Sequence, residues 1–199
     1  MILLVHGWGF DASLWDGVRA ELPVEAQAID LGFFGGATAI PDHVEVAVGH
    51  SLGALWLLTE RPDLGDRLVL VNGFPRFTAA PNFPAGVPPR MVERMARRLA
   101  EAPAEVVDAF RARCEAGPAP GTPDRDRLAW GLELLRSGDG RTALPGRPLS
   151  IIAGAADPIV PPAMTTAAFG AGVHWLDGGH LLPLTHPQAV AAAIAEALP

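Results

Sequence analysis

One stretch, residues 46–55, constrains the fold of this chain more than any other. A β-branched apolar run enters Gly49-His50-Ser51-Leu52-Gly53, and an Ala/Leu/Trp run that favours helix leaves it. A Gly-x-Ser-x-Gly motif between a strand and a helix is typical of a sharp turn that presents a serine nucleophile. The residues two before and two after the serine must lack bulk, which Gly49 and Gly53 satisfy. The stretch predicts Ser51 as a nucleophile, and the alternative is a plain strand-to-helix turn in a parallel sheet.

Composition narrows the class of protein. The chain has 199 residues and a net charge of −7, and all fifteen of its basic residues are arginine. This length predicts one globular domain with a sizeable core. An acidic chain without a basic run argues against nucleic-acid binding, so we expect no nucleic-acid partner.

The single cysteine and the N-terminal sequence bear on compartment. Cys114 stands alone, which excludes an intramolecular disulfide and any cysteine-built metal site and fits a reducing compartment. Met1 leads directly into a short apolar strand, and no apolar run is long enough to span a membrane. We therefore expect a soluble cytoplasmic protein with no membrane association. No histidine or carboxylate pair has metal-ligand spacing, so no metal and no cofactor is predicted.

Apolar runs alternate with helical patterns along most of the chain, which predicts an α/β fold with a mostly parallel sheet. Six strands are predicted: Ile2–Val5, Val24–Leu31, Val44–Val48, Arg67–Asn72, Leu149–Ala153 and Val173–Leu176. Only about a dozen residues separate the second strand from the third, so a single helical turn or an irregular segment must make that crossover.

The region between the fourth and fifth strands has a different pattern. It is rich in proline and lacks strand signals, and three amphipathic helices are predicted, at Pro89–Glu101, Pro103–Ala116 and Pro123–Ser137. Each opens with a proline at a position that the first helical turn tolerates. We therefore expect residues 1–73 and 149–199 to form the sheet core and residues 74–148 to form a helical lid insertion.

A serine nucleophile needs a base and an orienting acid. Asp157 and Asp177 both follow late strands, and Asp157 is preferred because Asp177 is too close to His180 in sequence to face it; Asp157 could also be a simple turn residue before proline. His180 lies in a glycine-containing loop after the last strand and is the preferred base. The other five histidines are expected to be structural or exposed: His6, His43, His50, His174 and His186.

An acyl-transfer serine also requires hydrogen-bond donors for the oxyanion. The backbone N–H of Leu52, directly after the serine, is one candidate. The second is the N–H of Trp8 in the loop after the first strand, where Gly7 lets the chain turn. The Trp8 ring either walls an acyl pocket or covers the core.

These motifs together resemble the α/β-hydrolase superfamily: His6-Gly7-Trp8-Gly9-Phe10, the serine turn, Asp157-Pro158-Ile159-Val160-Pro161 and Gly179-His180. Within it the chain is most similar to the pimeloyl-[acyl-carrier protein] methyl ester esterases of biotin synthesis. Finer matches are Leu14-Trp15 after the first loop and Gly131-Leu132-Glu133-Leu134-Leu135 before Asp139.

The resemblance implies an α/β-hydrolase fold in which Ser51, Asp157 and His180 form a catalytic triad and Trp8 and Leu52 contact the oxyanion and substrate. It also implies an acyl chain under the lid, near Phe110-Arg111-Ala112-Arg113-Cys114. The expected activity is hydrolysis of a carrier-linked pimeloyl methyl ester. The alternatives are a general short-chain esterase or thioesterase and a non-catalytic binding protein on the same scaffold.

The chain departs from the family at its N-terminal side. The two strands that usually precede the His6-Gly7 strand are lacking, and the helix between Gly36 and Val44 is missing or vestigial. The sheet is therefore expected to be shortened, with an exposed edge that a second copy of the chain could cover.

Arginines cluster in the predicted lid. Between residues 76 and 98 there are five arginines and one acid, Glu93. Such an excess in an acidic protein suggests docking of an acidic partner such as an acyl carrier protein, and the alternative is a solvated helix face. The docking candidates are Arg90, Arg94, Arg97 and Arg98.

Overall fold

The sheet has six parallel strands in a computed structural model that describes residues 1–144 and 146–198. The strands are β1 (Ile2–Val5), β2 (Ala26–Ile29), β3 (Val44–His50), β4 (Gly65–Val71), β5 (Leu149–Gly154) and β6 (Val173–Leu176). Their order across the sheet is β2-β1-β3-β4-β5-β6, so β2 and β6 form the two edges. Every pairing is parallel, which confirms the α/β class.

Eight α-helices connect and flank the strands of the described chain. They are α1 (Asp16–Glu21), α2 (Leu52–Thr59), α3 (Pro89–Glu101), α4 (Pro103–Arg113), α5 (Arg125–Ser137), α6 (Pro162–Phe169), α7 (Leu182–Thr185) and α8 (Pro187–Glu196). Two short 3-10 helices occur at Ala12–Trp15 and Arg141–Ala143.

The inner strands and the first long helix owe their positions to apolar runs. All four residues of β1 and residues 46–50 of β3 are buried, as expected for parallel strands covered on both faces. Helix α2 is buried along residues 52–58, so it is a core helix. In α3 Val92 and Leu99 are buried, Met91 and Met95 are half-buried, and the other residues are exposed, as in an amphipathic surface helix.

Several helix ends differ from the predicted ones. The carboxylate of Asp124 accepts the N–H groups of residues 126 and 127, so α5 begins after this N-cap and Pro123 lies outside the helix. Asp11 caps the turn at residues 12–15 in the same way. Helix α7 was not predicted from its Leu-Pro-Leu-Thr sequence. The crossover between β2 and β3 contains no helix, which leaves the irregular alternative.

Helices α3, α4 and α5 all lie between β4 and β5 in the chain. The Thr78 hydroxyl donates to the Arg136 carbonyl at 2.8 Å, and Arg76 binds Asp139 at 2.8 Å, so the segment before α3 is joined to the end of α5. The division into a core and a lid remains a prediction, as does pairing of two copies through the β2 edge. No helix of residues 1–144 and 146–198 has the length and apolarity needed to cross a bilayer.

Candidate active site

The turn between β3 and α2 holds Ser51 in an uncommon backbone conformation, with φ 52° and ψ −118°. Its N–H donates to the Val71 carbonyl at 3.1 Å. A Cβ on Gly49 would lie 2.5 Å from the Ala54 backbone, and one on Gly53 would lie 2.4 Å from the Val5 carbonyl oxygen. Side chains at both positions would therefore collide with backbone, which explains the two glycines of the motif.

Three loops at the carboxyl edge of the sheet bring Ser51, His180 and Asp157 together. His180 Nε2 lies 3.0 Å from Ser51 Oγ, and His180 Nδ1 lies 2.7 Å from Asp157 Oδ2. The carboxylate can only accept at neutral pH, so Nδ1–H donates to Asp157 and Nε2 is free to accept from the serine hydroxyl. All three residues are buried, and Ser51 is 5% exposed.

The Asp157 carboxylate is almost fully satisfied by donors. Its Oδ1 accepts the N–H groups of Ile159 (2.7 Å) and Val160 (2.9 Å), and its Oδ2 accepts from the Asn72 side-chain amide (2.6 Å) as well as from His180. Burial alone would raise the pKa of Asp157, but His180 and the backbone N–H groups of Val160 and Ile159 outweigh it and hold the pKa below its usual range. The carboxylate is therefore kept ionised beside the imidazole.

Asn72 was not singled out from the sequence. It directly follows β4 and has φ 47°, a left-handed conformation that asparagine tolerates better than most residues. Besides Asp157, its Nδ2 reaches the Gly179 carbonyl at 3.3 Å. The available signal was the Asn-Gly pair at the end of an apolar strand, which indicates a turn at the same sheet edge as Ser51.

Two of the remaining histidines are buried close to the site. The His50 ring lies behind His180, with Nε2 2.8 Å from the His180 carbonyl oxygen. Burial lowers the pKa of His50 to about 3, so the ring is neutral and donates to that carbonyl. His6 Nδ1 donates to the Gly7 carbonyl at 2.9 Å, and its Nε2 accepts from the Leu31 N–H at 2.9 Å. Both rings make backbone contacts, and neither contacts the Ser51 hydroxyl.

The other three histidines lie apart from Ser51. His43 faces Asp66 at 3.2 Å, and His186 Nδ1 lies 2.8 Å from the Thr185 hydroxyl. His174 is exposed within β6.

The two predicted oxyanion donors are the backbone N–H groups of Leu52 and Trp8. Neither has an acceptor within a helix. Leu52 is the first residue of α2, and Trp8 lies in the turn after β1. Among residues 1–144 and 146–198, neither N–H donates to another protein group. The His6 bond to the Gly7 carbonyl fixes the peptide unit that contains the Trp8 N–H. The two amides are thus available for a ligand oxygen.

The Trp8 ring is buried against the helical insertion. Its indole N–H donates to the Leu128 carbonyl at 2.9 Å, and the ring meets Phe110 edge to face at 5.0 Å. A Cβ on Gly131 would lie 2.6 Å from the indole Cδ1. Helix α5 therefore packs on Trp8 through a glycine, and helix α4 through an aromatic ring.

An apolar cavity of about 200 Å³ lies between the insertion and the Asp157 loop. Phe110, Arg113 and Ile159 are among its lining residues, and the others are almost all apolar. Residues 110–114 were predicted from the sequence to contact the acyl chain, but the other three residues of this segment do not line the cavity. Arg111 donates to the Gly9 carbonyl at 2.9 Å, Ala112 is exposed and Cys114 is buried.

A larger, open groove of about 930 Å³ runs between α3 and α4. Its lining has an apolar part, which includes Met95 and Phe110, and charged side chains. The charged ones are Arg94, Arg97, Arg98, Arg113, Glu101 and Glu105. Arg90 is exposed on α3 but does not line the groove. Phe110 and Arg113 line both cavities, and neither Ser51 nor His180 lines either one.

Residues 24–193 match the alpha/beta hydrolase family. Together with the parallel sheet and the serine turn, this match places the chain in that family: it is an α/β hydrolase.

Curated relatives include the pimeloyl-[acyl-carrier protein] methyl ester esterase of Stenotrophomonas maltophilia. That protein is 29% identical in an alignment that covers 97% of this chain and 90% of the relative. An esterase of the same name from Yersinia pseudotuberculosis is 27% identical, with coverage of 80% and 76%. The biotin biosynthesis bifunctional protein BioHC of Cellvibrio japonicus is 26% identical and matches 98% of this chain but 46% of its own length.

Solved structures share the fold. A thermophilic esterase from Thermogutta terrifontis superposes with a TM-score of 0.73 at 23% identity, covering 98% of this chain and 88% of that one. The esterase EaEST from Exiguobacterium antarcticum has a TM-score of 0.79 at 16% identity, with coverage of 98% and 90%. At these identities the likeness concerns the fold alone.

Proposed function

We propose that this chain is a serine carboxylesterase of biotin synthesis that hydrolyses the methyl ester of a pimeloyl chain linked to an acyl carrier protein. The observation that carries the proposal is the hydrogen-bonded series from Ser51 Oγ through His180 to Asp157. The named activity of the relatives supports the choice of substrate. The enzyme acts in the cytoplasm, in keeping with its one unpaired cysteine.

The proposed reaction has two half-reactions. His180 Nε2 takes the proton of the Ser51 hydroxyl while Oγ attacks the ester carbonyl, and the N–H groups of Trp8 and Leu52 bind the resulting oxyanion. The C–O bond to the methoxy group breaks, and His180 returns the proton so that methanol leaves. Water then attacks the acyl-enzyme with His180 as base, which releases the carboxylic acid and restores Ser51.

The apolar cavity beside Ile159 is the proposed site for the acyl chain. Its volume of about 200 Å³ is below the roughly 300–1,000 Å³ typical of pockets for drug-sized ligands, which suits a short chain. This cavity adjoins the open groove, because Met91, Met95, Phe110 and Arg113 line both. A carrier-linked chain could then extend from the groove past Phe110.

The groove between α3 and α4 is the proposed docking surface for the carrier. Four arginines against two glutamates give it a positive balance that suits an acidic protein. Arg98 is paired with Glu105 at 2.6 Å, so Arg94, Arg97 and Arg113 provide the charges left for a partner. Arg113 also donates to the Pro158 carbonyl at 2.8 Å and is fixed by that bond.

Charge reversal tests the docking surface. Arg94→Glu combined with Arg97→Glu should lower kcat/KM for the carrier-linked ester by about tenfold or more, with no loss on a p-nitrophenyl ester. Arg90→Glu, on the same helix but outside the groove, is the matched control and should have a smaller effect. Equal losses in the groove variant and the control would contradict docking in the groove.

The activity itself is tested by steady-state hydrolysis of the pimeloyl-carrier methyl ester beside a short p-nitrophenyl ester. We expect preference for the carrier-linked ester, loss of turnover of both in Ser51→Ala, and labelling of Ser51 by a fluorophosphonate. Turnover of the small ester alone would indicate a general esterase. Folded protein that neither turns over an ester nor reacts with the probe would indicate a binding protein on this scaffold.

A further inference from the structure

We propose that Asn72 is a positioning residue that holds the Asp157 carboxylate and thereby sets the basicity of His180. The inference rests on the proposed function, in which His180 is the general base. It adds a fourth side chain to the three that the motifs identify.

The contacts of Asn72 join the acid and the base. Its Nδ2 lies 2.6 Å from Asp157 Oδ2, the same oxygen that accepts from His180 Nδ1 at 2.7 Å. The same Nδ2 lies 3.3 Å from the carbonyl oxygen of Gly179, the residue before His180. One amide group therefore restrains both the carboxylate and the loop that presents the imidazole.

Stability alone does not explain an asparagine at this position. The side chain is buried, its backbone has φ 47°, and its Oδ1 has no hydrogen-bond partner among the described residues. An unpaired buried acceptor and a left-handed backbone both lower stability. Such costs persist where a side chain has a function, and the only side chain that Asn72 contacts by hydrogen bonding in the described chain is that of Asp157.

The expected electrostatic effect has a definite sign. Donation from Asn72 spreads the negative charge of Asp157 and weakens the pull of this carboxylate on the His180 proton. Without the donor, the carboxylate holds the imidazolium form of His180 more strongly, so the acid limb of the kcat/KM profile moves to higher pH. The fraction of His180 that is neutral and able to accept the Ser51 proton then falls at a given pH.

Three other charged or titratable side chains lie near the pair formed by His180 and Asp157. His50 faces His180 from the end of β3 and is neutral, since burial lowers its pKa to about 3. Cys114 faces Asp157 from the end of α4, and burial raises its pKa to about 12, so it is a neutral thiol. Arg113 is charged and binds the Pro158 carbonyl. None of these three changes charge in the range where a histidine titrates.

The test is an NMR titration of the His180 imidazole in wild type, Asn72→Gly and Asn72→Ala. Glycine removes the donor and suits the positive φ, whereas alanine removes the donor but leaves a smaller void. We expect the His180 midpoint to rise by about one pH unit in both variants, a tenfold change in proton affinity. The acid limb of the kcat/KM profile should move by the same amount.

The control is His50→Gln, which alters packing behind His180 without touching Asp157. Its His180 midpoint should stay at the wild-type value even if kcat falls. A wild-type measurement covers the case in which the Asn72 variants do not fold: the Nδ2 proton signals of Asn72 should shift with the midpoint of His180.

Three results would overturn the inference. The first is an unchanged His180 midpoint in both Asn72 variants, and the second is an equal shift of that midpoint in His50→Gln. The third is that the Nδ2 proton signals of Asn72 stay constant while His180 titrates. The NMR readout does not depend on ester hydrolysis. If wild-type protein shows no Ser51-dependent turnover, the proposed function fails, while the titration still decides the role of Asn72.

Discussion

Burial of His50 should make the fold sensitive to mild acid. The ring is fully buried, and its pKa falls from the ordinary 6.5 to about 3 on folding, first because of burial and then because of the neighbouring His180. The unfolded chain therefore binds a proton at His50 below pH 6.5, and the folded chain does not. Stability rises with pH across this window and is lost as pH falls from 6.5 toward 3.

The size of the effect follows from the pKa difference. Each pH unit below 6.5 costs roughly 1.4 kcal/mol until the folded pKa is reached, so the loss at pH 4.5 is about 3 kcal/mol. This is a large share of the 5–15 kcal/mol typical of domains. Asp157 does not contribute to the loss of stability in this pH window. Its pKa is lowered on folding, so the stability that its charge provides is lost only as the pH falls below 3.8, the ordinary pKa of the group.

Urea unfolding at pH 7 and pH 4.5 measures the loss in wild type and in His50→Gln. Glutamine is neutral at both values and can place an N–H near the His180 carbonyl. The variant should lose about 3 kcal/mol less than wild type between the two pH values. Equal losses in the two proteins would refute the assignment of acid sensitivity to His50.

Three further predictions concern packing. Gly53→Ala should lower the free energy of unfolding, measured in urea, by several kcal/mol, because its Cβ would lie 2.4 Å from the backbone of β1. Gly117→Ala is the control: a Cβ there would meet no atom within 4 Å, so the free energy of unfolding should change little. Gly131→Ala should lower kcat by about tenfold or more in steady-state assays, because its Cβ would displace the Trp8 ring and with it the proposed oxyanion donor; an unchanged kcat in folded protein would argue against that donor. Cys114 should react with a thiol reagent only after unfolding, since it is buried and its pKa is raised to about 12, and rapid labelling of folded protein would contradict this.

The fold was largely predictable because its elements depend on local patterns. The apolar run of β3 ends in a turn that only glycine permits, and β6 has the predicted bounds. Helix α3 was predicted to the residue, because a proline opens it and its apolar positions are spaced on one face. The predicted start of α5 at Pro123 was wrong. Both Pro123 and Asp124 are residues that commonly begin a helix, and the side chain of Asp124 forms the N-cap.

The site residues that could be predicted were those whose residue type, in a loop after a strand, is compatible with few other roles. The expected order of serine, acid and base selected Asp157 and His180, and in the structure His180 contacts both Ser51 and Asp157. Asn72 was missed because it ends an apolar strand and its partner is 85 residues away. The contacts of Arg113 with the Pro158 carbonyl are likewise long-range and leave no local pattern.

The end of α4 contacts the segments that carry two of the proposed site residues, Asp157 and Trp8. Arg113 binds the carbonyl next to Asp157, Arg111 binds the Gly9 carbonyl, and Phe110 packs on Trp8. A displacement of α4 that breaks these contacts would release the Asp157 loop and the turn at Trp8 at the same time. The seating of this one helix therefore couples the positions of two segments that are far apart in the sequence.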